Sequence, residues 1–196
     1  MYDDWVDAVC QQMGDLSNCS VIDTACNSCF FPFRFMEKGA RRAMCYDRSP
    51  TNAEVVRVMR DITGWDVNFV NEPYDQLRHE IAGCEPADIV VSTAIMCHIS
   101  DPTYYLSFLS KITRNTLLLF SKFSDHRAMT VTYSDVNTYT NDPFPICFDK
   151  MTVPSLALLK FGLKASGFSH FYEIPHRDTW LPKSWYQGWR AFVCGK

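Results

Sequence analysis

The order of residues from Val21 to Asn52, VIDTACNSCFFPFRFMEKGARRAMCYDRSPTN, leaves a chain few ways to fold. A short apolar run, Val21 and Ile22, is closed by Asp23. Small residues follow, Thr24 to Ser28, and then an apolar helix-like run from Phe30 to Lys38, ended by Gly39. A second strand-like run, Ala43–Tyr46, ends in Asp47. Strand, small-residue turn, helix, strand and acid in that order is a nucleotide-binding βαβ unit. The turn lets a cofactor approach the backbone, and the helix N-terminus offers free N–H groups. Asp47 lies 24 residues after Asp23, near the usual spacing of about 20 for the acid that holds a ribose.

The rest of the chain repeats the alternation. Ser49-Pro50 opens a helix in which Val55, Met59 and Ile62 recur at helical spacing, with Gly64 as its stop. Val67–Val70 is a third strand and Pro73–Ala82 a helix. Ile89–Val91 is a buried strand with Ser92 and Thr93 at its C-terminal end. Asp101-Pro102 opens a helix with Tyr105, Phe108, Leu109 and Ile112 on its apolar face. Thr116–Ser121 is the fifth strand, Pro154–Ser166 a helix, and Phe168–Ile174 and Trp189–Cys194 the last strands. Alternation of this kind predicts an α/β fold, a doubly wound parallel sheet with helices on both faces. Residues 1–20 read as a short lead-in, with Trp5, Val6 and Val9 on one face of a brief helix. Residues 122–152 lose periodicity, and a long irregular segment beside a strand's C-terminal end reads as a substrate lid.

The turn Asp23-Thr24-Ala25-Cys26-Asn27-Ser28-Cys29 resembles the first motif of the class I S-adenosylmethionine-dependent methyltransferases, D-x-G-C-G/N-x-G, in the branch that carries Cys and Asn. Ala25 replaces the first glycine and Cys29 the last, a departure that bears on cofactor affinity rather than on the fold. His98-Ile99-Ser100-Asp101-Pro102 is similar to an HLxDP phrase found in tRNA wobble-uridine modifying enzymes and in many small-molecule and sugar methyltransferases. The resemblance covers residues 20–196 and implies a Rossmann-like, seven-stranded, mostly parallel sheet whose last strand is antiparallel. It implies S-adenosylmethionine as cofactor. Asp23, Thr24, Ala25, Cys26, Asn27 and Ser28 are then expected at its methionine part, Asp47 at its ribose, and Phe31 as a further cofactor contact. Arg48, Ser49 and Asn52 should flank the adenosine, Asn71 should lie near the adenine, and Ser92 and Thr93 should floor the site. The short lead-in suggests one domain, 1–196, that is either compact or cut from a longer chain.

Bulk properties narrow the field. The chain is 47 % hydrophobic and 21 % charged, which fits a globular core rather than disorder. A net charge of −3 supplies no broad basic field, which disfavours a general nucleic-acid binder. No signal peptide opens the chain and no run approaches a membrane span. Nine cysteines, odd in number and irregular in spacing, predict free thiols in a reducing, cytoplasmic compartment. Cys26 and Cys29 form a C-x-x-C without a second ligand pair at matching spacing, so no metal is expected.

Methyl transfer to a hydroxyl needs a proton acceptor, and histidine has a pKa near working pH. His98 follows the fourth strand at the rim where open α/β sheets bind ligands and is the first candidate. His126, beside Asp125, is the second, and His176 the third. Asp101 reads as a helix cap. Tyr133, Tyr139, Phe144 and Phe148 in the lid, with Trp180, Trp185 and Tyr186 near the end, suit a ring-shaped polar acceptor. The expected activity is O-methylation of a sugar or glycan hydroxyl. The rivals are a tRNA or other small-molecule methyltransferase and a methyltransferase-like binding domain without activity.

Overall fold

The computed structural model describes residues 1–71, 83–135, 150–175 and 188–196. Helix α1 (Tyr2–Met13) leads into β1 (Ser20–Asp23), α2 (Phe30–Glu37), β2 (Arg42–Asp47), α3 (Pro50–Thr63) and β3 (Val67–Asn71). Strand β4 (Ala87–Thr93), helix α4 (Pro102–Ile112) and β5 (Thr113–Lys122) follow. The chain then forms β6 (Val131–Asp135), β7 (Lys150–Pro154), α5 (Leu156–Ala165), β8 (His170–Ile174) and β9 (Trp189–Gly195).

Seven strands form one sheet in the order β3-β2-β1-β4-β5-β9-β8. Pairing is parallel from β3 through β5, and β9 runs antiparallel to both its neighbours. This is the expected sheet, with β4 in the middle and β1 beside it. The chain builds outward from β1 to β3 and then returns to place β4 on the other side of β1. That reversal opens a crevice at the C-terminal ends of β1 and β4, where open α/β sheets bind ligands.

Residue parity decides the two core layers, as the alternation of a strand requires. Val21, Cys45, Val91, Leu118 and Phe120 face the layer of α1 and α2, while Ile22, Val90, Leu117 and Leu119 face α4 and α5. The lead-in is part of this core. Trp5, 1 % exposed, lies nearly parallel to Phe31 at 6.0 Å and 4.6 Å from Phe120. Among the described residues, no helix is long and apolar enough to cross a membrane.

Four expectations change. Helix α3 buries Val56, while Val55 is 39 % and Ile62 74 % exposed; of the expected trio only Met59 packs against the core. The segment 122–152 is not wholly irregular: β6 and β7 pair antiparallel from Val131↔Pro154 to Asp135↔Lys150. Pro154 therefore ends a strand, and α5 starts at Leu156 behind the N-cap Ser155, whose hydroxyl accepts the Leu158 N–H at 3.1 Å. Phe168 is buried ahead of β8 rather than in it. The helix expected over Pro73–Ala82 lies outside the described residues.

Candidate functional site

Three non-glycine residues among those described have positive φ: Asn27 (49°), Cys29 (60°) and Ala94 (57°). All three lie in the loops that leave β1 and β4 at the crevice. Left-handed backbone at a residue with a Cβ costs of order 1 kcal/mol or more and persists only where surroundings hold it. Here the restraints are visible. The Thr24 N–H donates to Val91 O (3.0 Å), the Cys26 N–H to Tyr46 O (3.0 Å) and the Cys29 N–H to Cys26 O (2.8 Å). The turn is thus stitched to β4 on one side and β2 on the other. Cys29 adopts the conformation a glycine would favour, so its replacement of glycine strains the turn without unmaking it.

Asp47 closes the turn from the β2 side. Its Oδ2 accepts the Asn27 N–H and its Oδ1 the Ser49 N–H, each at 2.8 Å. The Asn71 side-chain amide donates to Asp47 O at 2.9 Å. The carboxylate is preorganised, and each oxygen retains a second lone pair for an incoming hydroxyl. Asn27 and Ser28 are exposed, as is Arg48, while Ser49 and Asn52 are half-buried at the start of α3. Asp23 faces inward and is fully buried. Its Oδ1 accepts the Ala25 N–H at 3.2 Å, and its Oδ2 has no hydrogen-bond partner among the described residues. Burial first, and then the Cys29 thiol, push its pKa well up.

On the β4 side, Ser92 is buried and shares a hydrogen bond with Tyr105 Oη at 2.9 Å; the same hydroxyl meets Thr24 Oγ1 at 3.1 Å. Ser92 and Thr24 therefore support the site from below rather than lining it. Thr93 is half-buried at the strand end. His98 ends a single 3₁₀ turn, Met96–His98, and is half-buried. Burial, and then the nearby Arg48 guanidinium, hold its pKa below the ordinary 6.5, so the imidazole is neutral at pH 7. Asp101 caps α4, accepting from the Thr103 and Tyr104 N–H groups, as its sequence context indicates. His126 is exposed, and the Asp125 carboxylate beside it is bound to Arg190 at 2.7 Å. Phe31 is buried in the aromatic cluster with Tyr2 and Trp5, an interior position rather than a ligand-facing one.

No protein-family model matches the chain, and no curated protein does. Solved structures do. The N-terminal domain of EvdMO1, crystallised in the presence of S-adenosylhomocysteine and D-fucose, superposes with a TM-score of 0.69 at 12 % identity, over 98 % of this chain and 82 % of that one. The whole EvdMO1 chain is longer, and this chain spans 40 % of it. The 1,6-didemethyltoxoflavin-N1-methyltransferase of Burkholderia thailandensis, with S-adenosylhomocysteine bound, gives 0.65 at 15 % identity over 98 % and 76 %. An S-adenosylmethionine-dependent methyltransferase from Mesorhizobium loti gives 0.65 at 13 % over 97 % and 96 %. This is a class I methyltransferase fold. The same fold also carries the [4+2]-cyclase SpnF, at a TM-score of 0.65 and 11 % identity, so the fold by itself does not name the reaction.

Within that methyltransferase fold, two contributors escape sequence reasoning. Tyr105 lies on an apolar helix face, and only its hydroxyl, which needs a partner when buried, signals that it belongs to the site's support. Cys45 sits in an apolar strand run, yet its thiol joins those of Cys26 and Cys29, all three sulfurs lying within 4.8 Å of one another. His176, Tyr139, Phe144, Phe148, Trp180, Trp185 and Tyr186 lie outside the described residues.

Proposed function

We propose that the chain is an S-adenosylmethionine-dependent O-methyltransferase that acts on a hydroxyl of a sugar or glycan. The observation that carries the cofactor half is the Asp47 carboxylate, locked by the Asn27 and Ser49 N–H groups at the C-terminal end of β2 with lone pairs to spare. A ribose diol is the group such a carboxylate suits. The strained turn beside it presents the exposed backbone of Asn27 and Ser28 to the methionine part. The cofactor, when bound, supplies a methyl group on an electrophilic sulfonium. The protein's own part is to place the acceptor oxygen in line with it and to take up the proton.

His98 takes that proton. Its depressed pKa keeps the imidazole neutral at pH 7, the form that accepts a proton from an alcohol. Strand β6 lies on the acceptor side in this reading. Tyr133 Oη donates to Ser100 O at 2.8 Å, which ties β6 to the loop carrying His98. The exposed Tyr133 ring offers an aromatic face to a ring acceptor, and the D-fucose present with one neighbour of the same fold points the same way. Residues 1–196 form one domain in this reading, working in a compartment that keeps its thiols reduced.

Calorimetry with S-adenosylhomocysteine tests the cofactor half: saturable binding is expected, and its absence would leave a methyltransferase-like binding domain. Incubation with S-adenosylmethionine and a panel of deoxyhexoses, their nucleotide esters and tRNA tests the acceptor, with product mass as readout. Methylation of tRNA alone would replace the sugar acceptor.

A further inference from the structure

The three clustered thiols do not face the ligand crevice. Cys29 and Cys45 are fully buried and Cys26 is 5 % exposed, all beneath the turn whose outer side is Asn27 and Ser28. Asp23 joins them from the sheet. Its Cα partner across the parallel ladder is Cys45. Partners on adjacent strands lie about 4.8 Å apart and point to the same face. The Asp23 carboxylate therefore stands one strand away from the Cys45 thiol, with its Oδ2 buried and unpartnered among the described residues.

We infer that Cys26, Cys29, Cys45 and Asp23 form a site for one thiophilic divalent cation of the zinc class, tying the β1–α2 turn to β2. Three sulfurs and a carboxylate oxygen are a tetrahedral zinc donor set. A Zn–S distance of about 2.3 Å puts tetrahedral sulfurs about 3.8 Å apart. The observed limit of 4.8 Å is within a small side-chain adjustment of that. Cys26-Asn27-Ser28-Cys29 has the two-residue spacing of a zinc-binding C-x-x-C. Its third and fourth ligands come from neighbouring strands, not from a second sequence pair. The left-handed backbone at Asn27 and Cys29 folds the loop so that both sulfurs converge. Three thiolates and a carboxylate leave a net negative charge on the bound site. The first-turn N–H groups of α2 offset it, because Cys29 is the N-cap and no side chain caps that helix. The ligand protons leave to solvent as the metal enters, which makes binding weaken in acid. Three neutral thiols packed as small hydrophobes would account for the burial. They leave the orphaned Asp23 oxygen unexplained.

The site does not depend on methyl transfer, so its test is separate from activity. The full chain, purified without chelator, is denatured and its metal counted by mass spectrometry, and chelated chain is retitrated with Zn²⁺. One equivalent of zinc is expected. Cys45→Ser should lower the affinity by more than the 10–100-fold that loss of an outer-shell partner costs, while Cys194→Ala, a buried thiol elsewhere, keeps it. If Cys45→Ser does not fold, Co²⁺ added to the unmutated chain decides the matter: tetrahedral thiolate absorption bands support the site. Absence of those bands, zinc below about a tenth of an equivalent after titration, or a Cys26–Cys29 disulfide in place of metal overturns it. Asp23→Asn with unchanged affinity would remove the carboxylate from the ligand set and overturn the site as stated.

Discussion

The two halves of the crevice are built differently. On the β1–β2 side, Thr24, Cys26, Cys29, Asn27, Ser49 and Asn71 each place a hydrogen bond that fixes the turn or Asp47. On the β4–β5 side, His98 sits on one 3₁₀ turn, His126 is exposed, and Asp125 engages Arg190 at the surface. The first half is preorganised and the second is loosely framed. The contrast teaches how one fold serves many acceptors. In the proposed function, the half assigned to the common cofactor is specified by backbone geometry, while the half assigned to the acceptor is left to loops and side chains.

The largest effect should come from the loosely framed half. His98→Ala should lower turnover by at least about a hundredfold, with S-adenosylhomocysteine affinity unchanged in calorimetry. Parallel loss of affinity would make His98 a structural residue and erase the division of labour; full activity would transfer the role to His126. On the preorganised half, Asp47→Ala should weaken S-adenosylhomocysteine binding by about tenfold or more, since a hydrogen bond to a charged group contributes about 1.5–3 kcal/mol. An unchanged dissociation constant would mean that the carboxylate serves only its own turn.

A smaller effect tests the support beneath the crevice. Tyr105→Phe leaves Thr24 and Ser92 without their shared partner and should cost about 0.5–1.5 kcal/mol, or roughly 1–6 °C in Tm for a chain of this size. A thermal melt identical to that of the parent would show that water replaces the hydroxyl.

The smallest effect concerns pH. The acid limb of the kcat/KM profile should lie below 6.5, because burial and Arg48 disfavour the charged imidazole. Arg48→Gln should move that limb upward, and an unmoved limb would detach Arg48 from His98. The same depression has a sign for stability. The unfolded chain binds the His98 proton at a higher pH than the folded one. The contribution of this group is therefore present above pH 6.5 and is lost as pH falls from there through the folded pKa.

Much of the fold was legible because its signals are local. Asp23, the small-residue turn and Asp47 are close in the chain, and strand and helix periods need only a few residues to declare themselves. Asp101 before Pro102 announces its cap in the same way. The helix α3 shows the limit of that reading: several apolar residues offer rival stripes, and only the sheet beneath chooses Val56 over Val55 and Ile62. The ribbon of β6 and β7 was hidden for a related reason, because a pair of short strands is defined by its partner and not by its own period.

By itself the sequence determined the alternation of strands and helices, the small-residue turn after β1 and the acid at the end of β2, all consequences of short-range sterics and burial. Only the tertiary structure decided which distant groups meet. The parallel ladder sets Asp23 beside Cys45, Tyr105 reaches Thr24 across 81 positions, and Arg190 reaches Asp125 across 65. Lateral contacts across a sheet join residues whose separation along the chain carries no period, so nothing local in the sequence records them.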